Sequence, residues 1–245
     1  MTFLTGGSRT LTAAYSGDGN FLVSTSAAVT QPVSSVDLST KALLFGNQML
    51  NTTSAAQAVT LTNVGTTPLA MTSVAISGNF AQSNNCPLGG TLAVGRSCRF
   101  NVTFTPTSLG VLTGTLTIND VDPASPQLVS LSGTGVDPAA VLSPPSLSFG
   151  TIPRGTSLTL PITLSNVTGT AALTINRISF GGANPRQFTQ TNNCGGSLAA
   201  GAFCTINVTF STARGGRPAT YNATLNVSDN APGSPQSVAL TATTQ

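Results

Sequence analysis

Histidine, tryptophan and glutamate are all missing from this sequence of 245 residues, and lysine occurs once, at Lys41. Without histidine, neither a Ser-His-Asp nor a Cys-His arrangement can be assembled. Without glutamate, only six scattered aspartates remain, which is poor material for paired-carboxylate hydrolysis. A Schiff-base or Ser-Lys mechanism would depend on one lysine in a strand-like segment. Helix-period patterns are missing too, so no Gly-rich phosphate loop precedes a helix. These absences predict a protein that is not an enzyme, with no catalytic residue, no cofactor and no metal ligand set.

Charge is equally scarce. Charged residues make up 6% of the chain, against roughly 25% in ordinary soluble domains. Hydrophobic residues reach 40%, enough for proper cores, yet no run of about 18 apolar residues could cross a bilayer as a helix. The polar surface must come from Ser, Thr, Asn and Gln, a composition typical of secreted β-proteins, and it predicts an extracellular or cell-surface location. Nine basic and six acidic side chains give a net charge of +3. They form no basic stripe interleaved with aromatics, which argues against nucleic acid as a partner. The nearest approach to a cluster, Arg214-Gly-Gly-Arg217, reads as a solvated turn. Only Tyr15 and Tyr221 accompany the phenylalanines, and the core needs those, so an aromatic platform for sugars is disfavoured. One lysine for two domains also argues against a Lys–Asn cross-link in each. Met1-Thr-Phe-Leu-Thr-Gly-Gly7 has neither a charged n-region nor an apolar h-region, so a secretion signal was either removed or lies elsewhere in a longer chain.

What the chain does have is an internal repeat. Leu43-Leu-Phe-Gly46 returns as Leu147-Ser-Phe-Gly150, 104 residues later. Thr60-Leu-Thr-Asn63 returns as Thr163-Leu-Ser-Asn166, and Asn84-Asn-Cys86 as Asn192-Asn-Cys194, now 108 residues later. Asn101-Val-Thr-Phe104 and Ser125-Pro-Gln127 return as Asn207-Val-Thr-Phe210 and Ser234-Pro-Gln236. Five blocks in one order mean two copies of one domain, beads rather than a solenoid. Within each copy, apolar residues alternate with polar ones. Val59 and Leu61 form one inward row; Cys98, Phe100, Val102 and Phe104 a second; Leu116 with Ile118, then Val129 with Leu131, two more. The second copy repeats this with Leu160, Ile162 and Leu164; with Cys204, Ile206, Val208 and Phe210; with Tyr221, Ala223, Leu225 and Val227; and with Val238 and Leu240. About seven short strands per roughly 100 residues describe a two-sheet sandwich. The fold class is therefore all-β: tandem immunoglobulin-like β-sandwiches at 34–137 and 138–245, preceded by a two-strand segment at 1–33. Gly135-Val-Asp-Pro-Ala-Ala140 reads as a short linker stiffened by Pro138, so the beads are expected to hold a restricted angle.

Four cysteines sit at matching places in the copies, Cys86 with Cys98 and Cys194 with Cys204. In a secreted β-domain this predicts one disulfide per copy, each contributing about 2–3 kcal/mol through loop closure. The spacings and the absence of histidine disfavour zinc. Asp18 with Asn20, and Asn119-Asp-Val-Asp122, offer oxygen ligands for calcium, but turn-forming Asx residues look the same in a sequence. Six Asn-x-Ser/Thr sequons, at Asn51, Asn101, Asn166, Asn207, Asn222 and Asn226, are read as outward strand positions.

Taken together, Phe45-Gly-Asn-Gln48, Val59-Thr-Leu-Thr-Asn63, Asn84-Asn-Cys86, Gly95-x-x-Cys98, Asn101-Val-Thr-Phe-Thr-Pro106 and Leu131-Ser-Gly-Thr-Gly135 resemble the bacterial choice-of-anchor D and ASPM/hydin-like (ASH) Ig-like repeats. That family's fold is related to major sperm protein and the pilus chaperones. The likeness spans about 36–245; Ser211-Thr-Ala213 and Thr241-Ala-Thr243 in the second copy depart from the pattern. Residues 8–33 resemble the closing hairpin of a different bacterial Ig-like repeat. The resemblance implies a large secreted or surface-anchored bacterial protein and supplies no catalytic residues. Two functions follow as expectations. One is a structural spacer, stalk or fibre subunit whose partners are adjacent Ig-like modules or copies of itself, polymerising through residues 1–33 if these are donated strands rather than the end of an upstream domain. The other is an adhesin or ligand-binding module using the loops Ala81–Leu92 and Gly181–Gly196. Both of those are plain Asn/Gly loops, which favours the structural reading.

Overall fold

The computed structural model describes residues 7–213 and 217–245; the readings made on the first six residues and on Arg214 lie outside them. The chain forms two compact units, Met1–Gly135 and Val136–Gln245. Both are all-β, with a single 3-10 turn at Pro185–Gln187 among the described residues.

At the front, strands β1 (Gly7–Leu11) and β4 (Val29–Val33) pair antiparallel, and β2 (Ala14–Tyr15) pairs with β3 (Ser24–Thr25). The first sandwich follows as β5 (Val36–Leu38), β6 (Ala42–Met49), β7 (Gln57–Asn63), β8 (Leu69–Ile76), β9 (Phe80–Asn84), β10 (Thr91–Leu92), β11 (Ser97–Phe104), β12 (Gly110–Asp120) and β13 (Gln127–Val136). One sheet has the order β10-β8-β12-β13-β6 and the other β5-β7-β11-β9. The second unit repeats the design with β14 (Val141–Ser143), β15 (Ser146–Ile152), β16 (Ser157–Ser165), β17 (Leu173–Gly181), β18 (Phe188–Asn192), β19 (Ser197–Leu198), β20 (Phe203–Ser211), β21 (Thr220–Asp229) and β22 (Gln236–Thr244). Its sheets run β19-β17-β21-β22-β15 and β14-β16-β20-β18, the same neighbours in the same places.

Each sandwich thus has nine strands where about seven were expected. The first strand is split: β5 and β6 lie in different sheets, as do β14 and β15, the latter separated by Pro144-Pro145, which cannot donate to a ladder. The two-residue strands β10 and β19 account for the rest; they are too short to show a period.

The inward rows lie where alternation put them. Val59, Leu61, Phe100, Val102, Leu116, Ile118 and Val129 are sealed from solvent, and so are Ile162, Leu164, Ile206, Val208, Leu225, Val227 and Val238. Leu160 and Tyr221 are only half-buried. Both cores gather a phenylalanine triad from three different strands: Phe45, Phe80 and Phe104, with ring centroids 4.9–5.9 Å apart, and Phe149, Phe188 and Phe210, at 5.1–5.9 Å. Aromatic pairs at such spacing add about 0.5–1.5 kcal/mol beyond area burial. Phe21 and Phe203, each 68% exposed, are exceptions to the reading that the core takes the phenylalanines.

The division between the units falls between Gly135 and Val136, within the segment read as a linker. Gly135 and Val136 are the last residues of β13. Asp137 and Ala139 are held within the second unit: the Asp137 N–H donates to Thr170 Oγ1 at 2.9 Å, the Thr170 N–H donates to Asp137 O at 2.8 Å, and the Ala139 N–H donates to Asn166 Oδ1 at 2.9 Å. A sequence read for composition sees Gly, Pro and Ala there and not the backbone partners that claim them.

Candidate interaction surfaces

The four cysteines form two bridges, Cys86–Cys98 and Cys194–Cys204, closing separations of 12 and 10 residues. Each ties the segment after β9 or β18 to the second residue of the long strand beside it, β11 or β20. Asparagines prepare both bridges: Asn84 Oδ1 accepts from the Cys86 N–H at 3.0 Å, and Asn192 Oδ1 from the Cys194 N–H at 3.1 Å. Asn85 Oδ1 and Asn193 Oδ1 accept from the N–H groups of Arg99 and Thr205. The repeated Asn-Asn-Cys block is therefore used by the fold. The stretches Ala81–Leu92 and Gly181–Gly196 are not continuous loops. The first contains most of β9 and all of β10, and the second holds the 3-10 turn and β18.

The aspartates are consumed similarly. Asp18 Oδ1 accepts from the Asn20 and Phe21 N–H groups at 2.8 and 3.0 Å, and Asp18 Oδ2 accepts from the Tyr15 hydroxyl at 2.6 Å. These bonds, the tyrosine's first, hold its carboxyl below the usual range. This is a closed Asx turn. Asp120 ends the inward row Leu116, Ile118, Asp120 on β12, and Asp229 ends the matching row on β21. In both units the same clasp closes the following turn. Asp120 Oδ1 accepts from the Asp122 N–H while the Asp120 N–H donates to Ser125 Oγ; Asp229 Oδ1 accepts from the Ala231 N–H while the Asp229 N–H donates to Ser234 Oγ. The second oxygens, Oδ2 of Asp120 and of Asp229, are buried without a hydrogen-bond partner. Burial pushes both carboxyls above their ordinary range.

Asp122 has no counterpart in the second unit, where Ala231 stands. Its Oδ2 accepts from both the Ser35 N–H and the Ser35 hydroxyl at 2.5 Å, and its Oδ1 from the Ala124 N–H at 2.8 Å. Burial works to raise this carboxyl, but the Ser35 donors outweigh it and hold it low. Beside this contact lies a cleft of about 130 Å³ lined by Ser35, Thr67, Leu69, Val121 and Asp122, well below the few hundred Å³ of ordinary ligand pockets. Sequence reading did not find the Ser35–Asp122 contact, because nothing in the local pattern links residues so far apart. Among the described residues no group of three His, Cys, Asp or Glu could hold a metal ion, and no helix is long and apolar enough to cross a membrane.

Two sequon readings are corrected. Asn101, Asn207, Asn222 and Asn226 do lie on outward strand positions, but Asn166 is fully buried. It follows Leu164 at the same parity, so the alternation already pointed it inward. Asn51 sits in a turn at φ +58°, off any strand.

The front hairpin leaves its apolar side chains in water. Leu11, Phe21, Leu22, Val23 and Val29 are between 59% and 90% exposed. Among the described residues, its strands pair only with one another.

Residues 34–134 match the model of the HYDIN/CFA65/VesB-like Ig-like domain. A protein of unknown function from Porphyromonas gingivalis W83 aligns at 16% identity and TM-score 0.36, covering 85% of this chain and 99% of that one. The ASH/PapD-like domain of human CEP192 (PapD-like domain 7) aligns at 19% identity and TM-score 0.35, over 44% of this chain and 89% of that one. The secreted serine protease VesC from Vibrio cholerae aligns at 12% identity and TM-score 0.33, over 71% of this chain and 46% of that one. No curated protein matches. Likenesses at this level carry no activity across to this chain.

Proposed function

We propose that this chain, whose residues 34–134 are an ASH-like Ig repeat, is a non-enzymatic structural module of a secreted or surface protein. It serves as a spacer, stalk or fibre subunit. In support, each sandwich turns its buried asparagine on its own backbone, each is stapled by a disulfide, and disulfides persist in oxidising compartments. The boundaries we assign are 1–33, 34–137 and 138–245, with the first as donated strands.

The observation that carries the assembly reading is the front hairpin. Two short strand pairs, β1 with β4 and β2 with β3, that leave Leu11, Phe21, Leu22, Val23 and Val29 exposed are marginal in water. They gain stability by adding to the open sheet edge of a neighbouring copy, where main-chain hydrogen bonds give affinity and apolar side chains find cover.

Light scattering across concentration, paired with negative-stain microscopy, tests this. Filaments or concentration-dependent growth are expected for the whole chain. They should disappear on deletion of 1–33 and in the double variant Phe21→Lys, Leu22→Lys, whose altered side chains are exposed and leave both cores intact. A monodisperse monomer at all concentrations would overturn the assembly reading and leave a spacer.

A further inference from the structure

Two copies of one fold permit a comparison of equivalent ends. In the first sandwich, residues 50–56, 77–79 and 105–109 connect β6 to β7, β8 to β9 and β11 to β12, and none of them is charged. In the second sandwich the equivalent connections each carry exposed arginine: Arg154 between β15 and β16, Arg186 between β17 and β18, and Arg217 before β21. None contains an acid. Two of these connections are also longer. Three residues separate Ile76 from Phe80, but seven separate Phe180 from Phe188, which is where the repeat offset jumps from 104 to 108.

Hydrogen bonds gather the three connections at one end. The Gly155 N–H donates to Thr212 Oγ1 at 2.8 Å, and the Ala219 N–H to Thr244 Oγ1 at 3.1 Å. Asn184 and Asn222 bond reciprocally at 2.9 and 3.0 Å. Arg154 Nε donates to Gln245 O at 3.0 Å, which fixes that side chain toward the same end. The two aspartates of this unit lie at the other end, Asp229 at the β21–β22 turn and Asp137 against Thr170 in the β16–β17 connection. The net charge of +3 comes from this unit, with five basic and two acidic side chains against four and four before residue 136.

We propose that this end of the second sandwich binds an acidic polysaccharide through Arg186 and Arg217, carried on connections at the same end. Planar guanidinium forks match carboxylate and sulfate oxygens. Open depressions of about 300 and 330 Å³, the first lined by Asn184, Arg186 and Gln187 and the second by Thr220 and Thr243, present amides and hydroxyls to a hydroxylated chain. The depressions present no aromatic platform for a base and no apolar wedge for a bilayer.

The test is titration of the whole chain with dextran sulfate and with polygalacturonate at about 0.15 M salt, with neutral dextran as blank. Both charged polymers bind, or one does, which identifies the anion. Arg186→Ala and Arg217→Ala each weaken binding about tenfold, as expected for one charge-assisted pair. Arg96→Ala with Arg99→Ala, two exposed arginines of the first sandwich, removes the same charge as Arg186→Ala combined with Arg217→Ala and leaves affinity unchanged. Melting temperatures of all variants match the parent. The proposal is overturned if the Arg96/Arg99 pair costs as much, if anionic vesicles or single-stranded DNA bind as tightly, or if neither polymer binds.

Discussion

Asn63 and Asn166 hold the same post in the two sandwiches, each fully buried, the first stitching three backbone groups with one amide and the second four, Ala199 O at 3.1 Å among them. Asn63 Nδ2 donates to Thr67 O and Leu92 O, both at 2.9 Å, and its Oδ1 accepts from the Gly65 N–H. Asn166 Nδ2 donates to Ala171 O and Leu198 O at 2.9 and 3.1 Å, but its Oδ1 accepts from the Ala139 N–H. The donors are used alike, while the acceptor serves a local turn in one unit and the chain's entry in the other.

Asn63→Ala or Asn166→Ala should therefore be severe, since each leaves buried carbonyls and an N–H without partners. A loss of about 3 kcal/mol is expected. Urea unfolding of the single variants checks it; a loss comparable to that at an exposed asparagine such as Asn222 would contradict the assignment.

Reduction of the bridges should destabilise both units. Closing 12 and 10 residues corresponds to about 3 kcal/mol each by loop entropy. Replacing Cys86 and Cys98 with alanine should remove the reductant sensitivity of one melting transition and leave the other's in place. A single unchanged transition would refute independent stapling.

Gly133 faces Phe104, and a Cβ there would lie 2.4 Å from the ring. Gly133→Ala forces that ring off its triad and should cost about 1–3 kcal/mol. The equivalent residue of the second unit is Ala242, already buried, so Ala242→Gly should cost only the smaller backbone-entropy penalty of about 1 kcal/mol. Thermal melts of the two variants distinguish the cases.

The buried aspartates oppose one another in pH. Asp120 and Asp229 are raised above 3.8 by burial, so their contribution is fully present below that value and lost as pH rises through their folded values. Asp122 is lowered, since the Ser35 donors outweigh burial; its contribution is present above 3.8 and lost as pH falls through its folded value. Asp120→Asn with Asp229→Asn should weaken the decline on the alkaline side of this window, leaving the share of Asp137, which burial also raises. Asp122→Asn should weaken the decline on the acid side, read by chemical unfolding across pH 2 to 7.

The repeat, the inward rows, the sandwich class and the cysteine pairs were legible because strand alternation writes burial locally: Phe100, Val102 and Phe104 point inward by parity alone. That parity also marked Asn63, Asn166, Asp120 and Asp229 as inward, but their polar chemistry disguised them as turn or surface residues. What only the tertiary structure decided are the relations across long separations. Ser35 meets Asp122, Asp137 and Ala139 are claimed by the 166–170 turn, and three connections bring Arg154, Arg186 and Arg217 to one end. The physical reason is that a β-sandwich makes its contacts between strands far apart in the chain, where no short-range periodicity carries the information.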